Sequence, residues 1–172
     1  MKSVPEVLGC LDPGLREAGI AVFRRGVLSK ACLVRNPERT IRGPRAWTAI
    51  ATEAAKRLEG LELDTLILEV PQVYAQGKWK GDPADLIELA GVDGAVVQAL
   101  HPRAVYGYLP REWKGQTPKP IHNARVEGTL TPVELEVIEP CPASLRHNVL
   151  DAVGLGLFQL GRLRGTCAPR LD

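Results

Sequence analysis

Val7-Leu8-Gly9-Cys10-Leu11-Asp12-Pro13-Gly14, followed closely by Gly19-Ile20-Ala21-Val22-Phe23, is the stretch that decides the fold. An apolar run closed by a Pro-Gly turn reads as a buried strand. The second run and Val27 to Val34 flank a basic turn at Arg24 to Gly26, which makes the pair a hairpin. Three strands in succession predict an antiparallel meander. Further along, Ala46, Ile50, Ala54 and Leu58 recur every fourth residue and predict an amphipathic helix over Arg45 to Leu58, with Pro44 in its first turn. Thr65 to Val70 is again a strand, apolar except for its acid Glu69. A strand-helix-strand succession implies parallel pairing through a crossover. A helix from Asp82 or Pro83 to Leu100 and a short strand over Val105 to Tyr108 follow. Arg111 to Pro120 is a polar, Pro-rich, basic linker, and short helices are expected over Ile121 to Glu127 and Pro132 to Val137, the second behind Thr131 as its N-cap. The last helix, from about Ser144 to Leu163, is apolar on most sides, and residues 165–172 read as a frayed tail. The expectation is one α/β domain over 1–172.

With 172 residues the chain is long enough to bury a real core. Its net charge of +2 neither demands nor excludes nucleic acid, because a basic face can be offset by acids gathered elsewhere. Four cysteines (Cys10, Cys32, Cys141 and Cys167) form no CxxC pair. That spacing argues against structural zinc and for a reducing compartment. No apolar run approaches the length of a membrane span, and only Lys2 precedes the first strand pattern, so a cytoplasmic location is expected.

Three acids stand out by position. Asp12 ends the first strand, Glu69 ends the fourth, and Asp151 lies on the apolar last helix. An acid within or at the edge of an apolar element is costly unless it is paired or binds metal. Ligands of α/β sheets gather at strand ends, so Asp12 and Glu69 can face one another there, with the last helix packed across the same edge. Three converging carboxylates raise one another's pKa values unless cations neutralise them. Two Mg2+ ions, with Mn2+ as a substitute, meet that need and suit in-line displacement at phosphorus. Taken singly, each acid also has an ordinary reading: a turn at Asp12, a surface acid at Glu69, and a pair with Arg146 for Asp151.

The combination resembles the RuvC family of Holliday-junction resolvases. Leu8 to Gly14 followed by Gly19 to Val22 is similar to the family's opening acidic strand. Leu66 to Glu69 is similar to its second, and His147-Asn148-Val149-Leu150-Asp151-Ala152-Val153-Gly154 to its final helix. Pro110 to Gly115 with Pro118-Lys119 resembles the linker of phage-encoded relatives. The resemblance implies an RNase H-like fold. Its mixed sheet would have five strands, the meander plus parallel strands, flanked by helices. It also implies a Mg2+-dependent endonuclease that works as a homodimer and places paired symmetric nicks in branched DNA. Asp12, Glu69, His147 and Asp151 would then be catalytic, with Asp12, Glu69, Asn148 and Asp151 as metal ligands. The family's fourth ligand stands three residues before the final aspartate, as Asp or His. Here that position is Asn148, and His147 is four before, so either can share the face of Asp151.

The loop after Glu69 is the candidate DNA contact, with Tyr74 and Trp79 to stack on unpaired bases and Lys78 and Lys80 to neutralise phosphate. Packing of Trp79 on the core is the other reading. Lys114 and Lys119, near Trp113, form a second candidate basic patch. The helix to Leu100 carries Leu86, Leu89, Ala90, Asp93, Val96 and Val97, a surface for either dimerisation or burial within one subunit. Alternatives within the same fold are an RNA-processing nuclease similar to YqgF and a catalytically dead module that binds branched nucleic acid.

Overall fold

The computed structural model describes residues 4–38, 40–72 and 82–163. The predicted meander forms from β1 (Val7–Asp12), β2 (Glu17–Arg24) and β3 (Val27–Arg35). After α1 (Pro44–Arg57) comes β4 (Thr65–Glu69), and after α2 (Ala84–Leu100) comes β5 (Ala104–Tyr108). The strands lie in the order β3-β2-β1-β4-β5. β1 runs antiparallel to β2, with Asp12 opposite Gly19, and parallel to β4, with Leu11 opposite Leu68. β5 adds to β4 in parallel. The sheet is the mixed five-stranded α/β arrangement expected.

Continuous apolar strands arise because both faces of the sheet are covered. On one face, Cys10, Ala21, Phe23 and Ile67 pack with Val149, Val153 and Leu157 of α6 (Arg146–Gln159). On the other, Leu11, Ile20, Leu66 and Leu68 pack with Ile50 and Ala54 of α1 and Val92 and Val96 of α2. Every residue of α6 from Val149 to Phe158 is buried, which is why its sequence is apolar all round. Of the residues of α2 weighed for dimerisation, Asp93 and Val96 are buried within the subunit and Ala90 is exposed, while Leu86, Leu89 and Val97 are half-buried. Cys10 and Cys32 are buried free thiols, and Cys141 is half-buried and free.

The linker differs from its expected form. It opens with a one-turn helix, α3 (Pro110–Trp113), and α4 (Lys119–Thr129) begins two residues before the predicted start. Pro110 supplies a preset first-turn φ, and the Glu112 carboxylate accepts the Leu109 N–H at 2.7 Å, closing the turn. This turn drives Trp113 into full burial. α5 (Pro132–Glu136) follows behind the expected Thr131 cap. The expected tail over 165–172 falls outside the described residues, as do Tyr74, Lys78, Trp79 and Lys80 of the loop proposed for DNA.

Candidate active site

Strand alternation decides where the acids point. The α6 face carries Cys10 and Ile67, so Asp12 and Glu69, two residues on, fall on that face at the ends of adjacent parallel strands. α6 brings Asp151 to the same edge. Its approach is set by Gly19, where an added Cβ would stand 1.9 Å from the Asn148 carbonyl oxygen. Only glycine lets the first turn of α6 rest on the backbone of β2.

The linker closes the site from a third side. Lys114, immediately after Trp113, places its Nζ 2.8 Å from Glu69 Oε2 and 3.2 Å from Asp151 Oδ2. The ammonium also lies 4.9 Å from the centre of the Trp113 ring. Trp113 Nε1 donates to Glu69 Oε2 at 3.0 Å. From α4, His122 is 2% exposed, meets Trp113 edge-on at 5.0 Å, and sets its Nε2 3.4 Å from Asp151 Oδ1. That approach is within ionic reach, yet among the described residues neither ring nitrogen nor Asp151 Oδ1 has a well-formed hydrogen bond. The contact is therefore electrostatic rather than a formed hydrogen bond.

Electrostatics follow from this crowding. Burial pushes the Asp12 carboxyl well above the usual carboxylate range, and the charges of Glu69 and Asp151 push it further, against Lys114 and Lys119. Burial also raises Glu69, with Lys114 only partly offsetting it. Asp151 moves the other way. Burial would raise it, but His122 and Lys114 together hold it below its ordinary value. Burial alone would lower the pKa of Lys114, yet Glu69, Asp151 and Asp12 outweigh burial and raise it. Burial and nearby Lys119 lower His147, so its imidazole is neutral at pH 7 within electrostatic reach of Asp151.

The structure thus joins Asp12, Glu69 and Asp151, with Lys114 between the last two. Lys119 and His147 are near neighbours. Asn148 is half-buried on the first turn of α6, where its main chain meets Gly19. Arg146, weighed as a partner for Asp151, pairs instead with Glu127 at 2.9 Å. Lys114, expected on a DNA-facing patch, is only 22% exposed among the acids. Sequence reasoning missed His122 and the donor role of Trp113. A signal existed for His122, because His122, Val126 and Leu130 recur every four residues and all face inward. Asp93 was also missed as a buried acid. Its Oδ1 has no hydrogen-bond partner among the described residues, and burial, then the Glu69 charge, push its pKa up to about 8. Among the described residues, no three His, Cys, Asp or Glu side chains are arranged to hold a metal. None of their helices is long and apolar enough to cross a membrane.

No family model matches the sequence. No curated protein matches it either. Solved structures do match. Thermus thermophilus RuvC in complex with a Holliday junction substrate aligns over 92% of this chain and 98% of its own, at 20% identity and a TM-score of 0.62. Another structure of Thermus thermophilus RuvC aligns over the same shares, at 20% identity and a TM-score of 0.50. A yeast mitochondrial Holliday junction resolvase covers 90% of this chain and 79% of its own, at 8% identity and a TM-score of 0.49. In fold the chain is RuvC-like, a mixed α/β sheet of the RNase H-like type flanked by helices.

Proposed function

We propose that the chain is a metal-dependent endonuclease that resolves Holliday junctions and related branched DNA by paired phosphodiester cuts. One observation carries the reading: Asp12, Glu69 and Asp151, drawn from two strand ends and a buried helix, lie within electrostatic reach of one another, and the last two share the Lys114 ammonium. A structural ion pair needs one carboxylate, and three clustered carboxylates are an arrangement that a divalent ion can neutralise.

The donor set fits such an ion. All three side chains offer hard oxygens, and Asp151 Oδ1 is buried without a well-formed hydrogen bond. Asp12, Glu69 and Asp151 would hold Mg2+ or Mn2+, with Asn148 as a further oxygen donor, once Lys114 moves aside. Two bound ions would supply activation of water and charge stabilisation at the scissile phosphate. The protein's own groups do the rest. Trp113 fixes the rotamer of Glu69 through its indole N–H, and His122 faces Asp151 from behind. The neutral His147 imidazole can accept a proton from attacking water. Lys119 adds positive charge beside the acids for a phosphate to meet. Tyr74, Lys78, Trp79 and Lys80 would grip the branch, and a cytoplasmic homodimer acting on both strands would give symmetric nicks.

A labelled four-way junction, a linear duplex and an RNA hairpin, each with Mg2+, Mn2+ or EDTA, test this. Metal-dependent paired nicks confined to the junction are expected. Asp12→Asn should keep junction binding and lose cutting by about a hundredfold or more, as expected when a bridging ligand is lost. Cutting by that variant at the parental rate would remove the central claim. Cleavage of the RNA alone would favour the processing-nuclease alternative.

A further inference from the structure

We infer that Lys114 is a built-in competitor for the metal: its ammonium bridges Glu69 and Asp151 in the metal-free protein and must leave before a divalent ion enters. This rests on the reading of the three acids as metal ligands and adds a gate to it. The geometry differs from that of an ordinary surface pair. Nζ touches two carboxylates at once, at 2.8 and 3.2 Å, and is backed by the Trp113 ring. A small divalent ion needs those same oxygens, and two cations cannot share them at van der Waals distance.

The linker is built so that the head can move while its root stays fixed. Trp113 is fully buried, and the Lys114 main-chain N–H donates to the Pro110 carbonyl at 3.0 Å, so the backbone is pinned. The four-carbon stem above it is flexible, and the side chain retains 22% exposure, leaving a way out. Neutralised acids keep the metal-free fold intact, and the expelled ammonium is then free to pair with a phosphate. Lys114 thereby serves the acids before loading and the DNA after it.

Calorimetric titration of the full-length chain with Mn2+ tests the gate. Lys114→Met should bind about tenfold or more tightly than the parent, the scale on which one neighbouring charge biases ion binding. Lys114→Arg, which keeps a cation there, should show no such gain. Equal or weaker binding by Lys114→Met overturns the inference. Parental binding with no gain removes the gate alone, whereas no binding by any of the three proteins removes the metal-site reading with it. Should Lys114→Met fail to fold, the parent can be labelled by reductive methylation with and without Mg2+, and lysine modification read by mass spectrometry. Lys114 should be protected without the ion and modified with it, and labelling that ignores the ion overturns the inference.

Discussion

Replacing Glu134 by Gln should cost the protein about 3 kcal/mol at neutral pH, through a carboxylate that ties α5, β3 and the end of α6 together. Glu134 is 1% exposed. Its Oε1 accepts the Leu28 N–H at 2.9 Å and its Oε2 the Thr131 N–H at 2.9 Å. Arg162, just past α6, adds a forked pair at 2.6 and 2.7 Å. The Arg162 hydrogen bonds, joined by those main-chain donors and opposed by burial, hold the Glu134 carboxyl at about 2 instead of 4.5. At about 1.4 kcal/mol per tenfold change in proton affinity, the ionised form favours folding by about 3 kcal/mol. Because the folded-state value is depressed, this contribution is full above pH 4.5 and fades as pH falls towards 2. Urea unfolding of parent and variant at pH 7 and pH 3 reads it directly. The gap should be about 3 kcal/mol at pH 7, a drop in Tm of roughly 10 °C, and under about half that at pH 3. A gap below about 1 kcal/mol at pH 7, or one equal at both pH values, would refute the argument.

Asp93 should behave in the opposite sense. Its folded-state value is raised to about 8, so its contribution is full below about pH 4 and lost as pH rises towards 8. In metal-free protein, Asp93→Asn should therefore gain about 2 kcal/mol or more at pH 8 and little at pH 4. No gain in urea unfolding at pH 8 would mean that Asp93 is not a buried charge. Trp113→Phe keeps the buried ring but removes the donor to Glu69 Oε2. About tenfold weaker Mn2+ binding with an unchanged circular dichroism spectrum is expected, and parental affinity would show that Glu69 needs no such support.

The strands and the three acids were legible for the same physical reason. Burial of both sheet faces writes unbroken apolar runs, and against them Asp12, Glu69 and Asp151 are visible as interruptions that burial alone would not tolerate. The linker hid its contents because composition dominates such a reading. Arg111, Lys114 and Lys119 mark the segment as surface, while one helical turn is too short to show a period. Trp113 is the anchor that inverts the reading, drawing Lys114 inward with it. His122 lies beside exposed Ile121 in a helix whose expected span, Ile121 to Glu127, was too short to define a buried face. The seating of the first turn of α6, which carries His147 and Asn148, depends on its approach to Gly19, a backbone contact that no side-chain pattern encodes.

The assembly of the acids from segments far apart in the sequence has a consequence for synthesis. Asp12 leaves the ribosome before Glu69, Lys114 comes after both, and Asp151 follows Lys114. The negative charge at the ends of β1 and β4 thus acquires its resident cation before the third carboxylate joins. A nascent chain halted before α6 lacks both that carboxylate and the helix that covers one sheet face. The gathering of the three carboxylates thus waits for α6 to dock, and a fragment released before then holds only two of them.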